Sequence, residues 1–188
     1  MNNLRIGICG AGGTGKSSLA ESLAKSLGIP FLKSKDITYL ILKRDGYDYS
    51  SGIQIERFLA HTGRQNEILR RTLEQQSIPE FVTDRTVIDL AAYALSEMRE
   101  NTDAMKHIVE TCRKNTTLYT HLLLCPWQDA PLTDNGKRTL NPWYQFVIHA
   151  IERGIMDDWG CKYHIMSVVG NVERTEEALR EFRQGQVQ

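Results

Sequence analysis

The run Gly10-Ala11-Gly12-Gly13-Thr14-Gly15-Lys16-Ser17 fits the pattern G-x-x-x-x-G-K-S/T at every position. An apolar segment, Leu4–Cys9, precedes it. Leu19, Ala20, Leu23, Ala24 and Leu27 follow at helical spacing, and Gly28 ends the pattern. Strand, glycine-rich turn, helix is the context in which this pattern binds phosphate. Glycines let successive backbone N–H groups turn inward without Cβ clashes, and the helix N-terminus adds partial positive charge. Lys16 is placed to reach the terminal phosphates, and the Ser17 hydroxyl to hold Mg²⁺. A glycine-rich turn that merely joins strand to helix is the competing reading, and the full motif in context argues against it.

The rest of the chain alternates strand and helix. Strands are expected at Leu4–Cys9, Ile29–Leu32, Phe81–Thr83, Thr120–Cys125 and Tyr163–Val169. Helices are expected at Lys16–Leu27, Asp36–Arg44, Ile53–Gln76, Thr86–Glu100, Thr102–Lys114, Asn141–Trp159 and Asn171–Phe182, the last capped by Asn171. That order predicts an α/β fold, a five-stranded parallel sheet with helices on both faces and right-handed crossovers. Ligands in such folds bind beyond the carboxyl ends of the strands, where the motifs fall. At 188 residues the chain has room for one domain. Gln184–Gln188 reads as a frayed tail.

Composition narrows the class. Lysine plus arginine and aspartate plus glutamate both number 23, so there is no overall basic field for nucleic acid. No apolar run approaches membrane-spanning length, and the N-terminus lacks the features of a secretory signal. Cys9, Cys112, Cys125 and Cys161 show no metal spacing and predict a reduced, cytoplasmic setting, the host cytoplasm for a viral chain. His107, His121, His149 and His164 show no metal spacing and receive no role. No N/T-K-x-D guanine-reading motif is visible, and no apolar strand ends in the Asp-Glu pair of motor ATPases. The apolar strand that ends in a carboxylate is Phe81-Val82-Thr83-Asp84, followed by Arg85.

Phe81-Val82-Thr83-Asp84-Arg85-Thr86 resembles the strand-end Asp-Arg element of thymidylate kinase and deoxynucleoside kinase relatives. Asp84-Arg85-Thr86-Val87-Ile88-Asp89-Leu90-Ala91-Ala92-Tyr93 and Asp134-Asn135-Gly136-Lys137-Arg138 look closer to the ribosylnicotinamide-kinase-like branch of P-loop kinases. Phage kinases that phosphorylate hydroxymethyluracil within DNA are similar to this group. The resemblance runs from Leu4 to about Phe182 and implies the strand order 2-3-1-4-5.

It further implies ATP as phosphate donor with Mg²⁺, Gly10 through Ser17 with Ser18 around the phosphates, and Ser17 and Asp84 as metal ligands. A helix N-cap is the alternative reading of Asp84, and one half of an ion pair the alternative to a phosphate contact for Arg85. Asp36, beyond the second strand, falls where related kinases place the base that accepts the acceptor's proton; a helix cap is its alternative. Lys33-Ser34-Lys35-Asp36 stands where deoxynucleoside kinases commonly carry glutamate. Lys137 and Arg138 would belong to a lid at 126–140, or else form a solvated basic pair. Arg57, His61, Arg64 and Arg71 share one helix face, an acceptor site or a solvated surface. Trp127 and Trp143 flank the lid, to stack on a base or to form a hydrophobic clasp.

The expected activity is transfer of a γ-phosphate to a hydroxyl of a nucleoside, nucleotide or related small molecule, by a monomer or a homodimer. Two alternatives stay open. One is phosphorylation of a hydroxymethylated pyrimidine in DNA, which a basic patch at Arg57, Arg64, Arg70 and Arg71 would favour. The other is a slow nucleotide-hydrolysing switch acting on a protein partner. ATP against GTP is likewise open.

Overall fold

The computed structural model describes residues 3–46, 62–97, 102–128 and 141–184. In chain order the elements are β1 (Arg5–Cys9), α1 (Lys16–Leu27), β2 (Phe31–Leu32), α2 (Lys35–Arg44), α3 (Thr62–Gln75), β3 (Phe81–Thr83), α4 (Val87–Glu97), α5 (Thr102–Lys114), β4 (His121–Leu124), α6 (Pro142–Asp158), β5 (His164–Ile165) and α7 (Asn171–Gln184). The five strands form one sheet in the order β2-β3-β1-β4-β5, as the resemblance implied, and every pairing is parallel.

The two-residue period of a strand divides the core between the faces. Ile6, Ile8, Val82 and Leu123 face one way, and pack with Leu19 and Leu23 of α1 and Ala178 and Phe182 of α7. Cys9, Phe81, Leu122 and Leu124 face the other way, among Ile41 of α2, Ile68 of α3, Ile88 of α4, Ile108 of α5 and Met156 of α6. Both faces are thus covered, which is why the strands read as near-continuous apolar runs. Gly7 is set by space: a Cβ there would lie 2.7 Å from Thr86 Cγ2 and 2.9 Å from Tyr119 Cδ1.

Four strands are shorter than their apolar runs suggest; β1 loses one residue, starting at Arg5. Ile29 N–H closes the end of α1 by donating to Ala24 O, so β2 starts only at Phe31. Beyond Ile165, the Ser167 and Val168 amides turn to the Glu177 carboxylate of α7, so β5 stops short of Val169. β4 loses one residue at each end, although Thr120 and Cys125 still donate to Arg5 O and Cys9 O. Asn141, expected as the first residue of its helix, is instead the cap of α6, its Oδ1 accepting from Trp143 N at 3.0 Å. The expected cap at Asn171 is corrected: Asn171 is already the first residue of α7, and its side-chain amide donates to Ser22 Oγ at 2.8 Å. The expected helix Ile53–Gln76 is observed over its described part, Thr62–Gln75; Ile55, Arg57, Leu59 and His61 lie outside the described residues.

No helix among the described residues is long and apolar enough to cross a membrane.

Candidate functional site

The loop after β1 closes over the carboxyl ends of β1, β3 and β4. Gly10 (φ +142°) and Gly15 (φ +86°) occupy backbone conformations that side chains rarely adopt. At Gly10 a Cβ would also strike Cys125 O at 2.6 Å. Gly15 is the N-cap of α1 and supplies no side-chain cap, so the first amides of the helix have no such acceptor. Lys16 Nζ folds back on the loop, donating to Gly10 O and, at 2.8 Å, to Ala11 O. Thr14 Oγ1 closes the loop onto Ala11 O at 2.9 Å. Ser18 is exposed on the first turn of α1.

Asp84 is buried at the end of β3. Its Oδ2 accepts from Ser17 Oγ at 2.5 Å, and its Oδ1 has no hydrogen-bond partner. The helix-cap reading of Asp84 is corrected. α4 begins at Val87, and its cap is Thr86, whose Oγ1 accepts from Ile88 N at 3.1 Å. Asp89 Oδ2 answers from three residues on, accepting from Thr86 N and Thr86 Oγ1 at 2.7 Å each. A hydroxyl against a carboxylate with an orphaned buried oxygen suits a hard cation that takes oxygen donors, so these residues fit Mg²⁺.

A polar brace holds the Asp84-Arg85 turn. Thr83 Oγ1 donates to Leu32 O at 3.1 Å, Gln76 Nε2 donates to Arg85 O at 2.9 Å, and Tyr119 Oη donates to Gln76 Oε1 at 2.6 Å. The Arg85 guanidinium lies over the Tyr93 ring, 5.2 Å from its centroid. Among the described residues Arg85 forms no ion pair.

Asp36 is exposed in the first turn of α2, which begins one residue earlier than expected. The cap position belongs to Ser34, so the helix-cap reading of Asp36 is corrected too. The Ser34 hydroxyl serves the brace instead, 2.7 Å from Gln75 Oε1 and 2.8 Å from Thr83 Oγ1. Lys137 and Arg138 lie outside the described residues.

The expected basic face of α3 is largely self-neutralised. Arg64 meets Asp45 at 2.7 Å, Arg71 meets Glu67 at 2.8 Å, and Arg70 meets Glu74.

The sequence reading missed three residues of the site. Glu152 of α6 is fully buried beneath the loop, facing Asp89 and the Gly10 amide, and neither carboxyl oxygen completes a hydrogen bond. Burial first, then the neighbouring Asp89 charge, push its pKa well above the carboxylate range, against the pull of Lys16. Burial pulls Lys16 down, but Asp89 and Glu152 outweigh it and hold the ammonium above its ordinary value. Gln145, also buried on α6, approaches Gly12: its Oε1, unpartnered, would lie 3.0 Å from a Cβ there. Arg174 of α7 donates to Thr14 O at 2.6 Å. A carboxylate within the buried stripe Ile148, Glu152, Ile155 and Met156 was the one available signal in α6.

Beyond the end of β4, Trp127 and Trp143 stack with centroids 6.5 Å apart and planes at 26°, and Phe146 meets both edge-on. Trp143 is 69% exposed.

Residues 5–174 match the model of the family AAA_28, described as an AAA domain. The chain belongs to this family. No curated protein matches it significantly. Among solved structures, this AAA domain is similar to NadR in complex with NR, with TM-score 0.70 and 16% identity. The match covers 97% of this chain and 50% of that one, so the domain spans about half the length of NadR. It is also similar to deoxyadenosine kinase from M. mycoides with bound dCTP, with TM-score 0.65, 12% identity, and coverage of 96% of this chain and 100% of that one. Shikimate kinase from Acinetobacter baumannii in complex with shikimate gives TM-score 0.60, 16% identity, and coverage of 100% and 97%. The fold of this AAA domain is that of the P-loop nucleoside and nucleotide kinases.

Proposed function

We propose that the chain is an ATP- and Mg²⁺-dependent kinase that transfers the γ-phosphate to a hydroxyl of a nucleoside, nucleotide or related small molecule. The observation that carries this reading is the 2.5 Å contact between Ser17 Oγ and Asp84 Oδ2 beside Lys16. It joins the phosphate loop to the carboxylate-ended strand, the pairing with which P-loop proteins hold Mg²⁺ at a nucleotide's phosphates. Two structural neighbours carry the name kinase, for deoxyadenosine and for shikimate, which supports a small hydroxyl acceptor.

In this reading Gly10 through Ser18 surround the donor's phosphates, and Lys16 leaves the Gly10 and Ala11 carbonyls to meet them. Ser17 and Asp84 hold Mg²⁺, which when bound neutralises charge on the phosphate oxygens. Arg85 contacts the transferring or acceptor phosphate, and Lys137 and Arg138 supply further positive charge to the triphosphate. Asp36 takes the hydroxyl proton as the acceptor oxygen bonds to the γ-phosphorus and the bond to the bridging oxygen breaks, releasing the nucleoside diphosphate. The Trp127–Trp143 pair, of which Trp143 is exposed, offers a stacking surface for a planar ring. Carboxylate pairing of Arg64, Arg70 and Arg71 favours a small acceptor over DNA. Lys16→Ala tests the reading: transfer should vanish while the fold persists, since alanine is tolerated at a helix start. Near wild-type turnover in that variant would remove the loop from the chemistry.

A further inference from the structure

Arg174 lies in the first turn of α7, far along the chain from the loop, yet it is almost fully buried against it. Its guanidinium works in two directions. Nη1 donates to Thr14 O at 2.6 Å, and Nε donates to Val168 O at 2.7 Å in the turn after β5. Glu177, one turn further along α7, accepts the amides of that same turn, from Ser167 at 2.9 Å and Val168 at 3.3 Å. α7 therefore grips the β5 exit with one cation and one anion, and the cation extends the grip to the loop.

The trans peptide gives this contact a consequence. Its C=O and N–H point in opposite directions across one rigid plane. A guanidinium that holds Thr14 O on the α7 side turns the Gly15 N–H the other way, toward the concave side of the loop. Gly15 is left-handed, and a Cβ on it would lie 3.0 Å from Arg174 Nη1, so the arginine packs against the residue whose donor it aims. A fixed positive charge behind the loop also adds to the field that attracts phosphate.

We infer that Arg174 is a positioning residue for the nucleotide's phosphates, fixing the Thr14–Gly15 peptide so that its N–H is presented before the ligand arrives. The inference rests on the phosphate-loop reading above. Arg174→Lys keeps the charge but has no planar fork to span both carbonyls. Arg174→Ala removes both contacts.

The test is titration of the full chain with ATP and with inorganic tripolyphosphate, alongside thermal melts and Lys16→Ala. Affinity for both ligands should fall about tenfold in Arg174→Lys, the worth of one charge-assisted hydrogen bond, and further in Arg174→Ala. Low-millimolar guanidinium should restore part of the loss in Arg174→Ala and none in Lys16→Ala. If the alanine variant does not fold, the lysine variant carries the test. Folded Arg174 variants that bind both ligands like the wild type would overturn the inference, as would lowered melting temperatures with unchanged affinity. Failure of the underlying reading looks different: the wild type would not bind ATP, or Lys16→Ala would bind it unchanged.

Discussion

Glu152→Gln should stabilise this protein, and by more as the pH rises. The carboxyl is fully buried, neither oxygen is hydrogen-bonded, and burial and Asp89 raise its pKa. In the unfolded chain the same group titrates near 4.3, about the ordinary glutamate value. Between that pH and the raised folded pKa, the native state holds a proton that the unfolded state has released. Stability then falls with rising pH, by up to about 1.4 kcal/mol per pH unit for one proton, and levels off above the folded pKa. Glutamine keeps the shape and takes no part in this linkage. At pH values below about 4.3 the two proteins should differ little, because both carry a neutral side chain. Urea melts at intervals from pH 5 to pH 8, with m held constant, should show the variant's advantage widening. A difference that stays constant with pH, or a variant that loses ground as pH rises, would refute the argument. Lys16 opposes the raised pKa, so removing it in a Lys16→Ala background should extend the divergence to higher pH.

Asp84→Asn should lower turnover by about 10²–10³-fold and raise the Mg²⁺ requirement, with a melting temperature close to wild type because Thr86 and Asp89 cap α4; wild-type kinetics at limiting Mg²⁺ would remove Asp84 from the site. Gly12→Ala should cost about 1 kcal/mol, the low end of overpacking, because its Cβ meets Gln145 Oε1 at 3.0 Å. Most of that cost should vanish in a Gln145→Ala background; an equal cost in both would mean that the Gln145 contact is not what demands glycine.

How much the sequence disclosed differs from element to element. The phosphate loop and the carboxylate-ended β3 were legible because their chemistry is local: glycines that permit inward amides, and a strand that ends in Asp84. Gly28 at the end of α1 was legible for the same reason, and it closes on Ala24 O with φ +69°. The cap of α4 was misread because Thr86-x-x-Asp89 was overlooked, although its spacing is a capping box in the sequence itself. The strand ends were overestimated at β2 and β5 because apolar runs do not say where an amide finds its partner. Ile29 spends its N–H on α1, and Ser167 and Val168 spend theirs on Glu177. Glu152, Gln145 and Arg174 were out of reach for a different reason. Each reaches the loop from a helix more than a hundred residues away in the chain, so only tertiary packing brings them to it.

Phosphate transfer itself tests the central claim most directly. The wild type and Lys16→Ala are incubated with γ-labelled ATP, Mg²⁺, and a panel of nucleosides, nucleotides, other small hydroxyl compounds and DNA containing hydroxymethylated pyrimidine. The account predicts label on a small hydroxyl acceptor with the wild type and none with the variant. Label released only as inorganic phosphate, at the same slow rate with every acceptor, would contradict it and leave a nucleotide-hydrolysing switch. Label found only on the DNA would contradict the choice of a small acceptor.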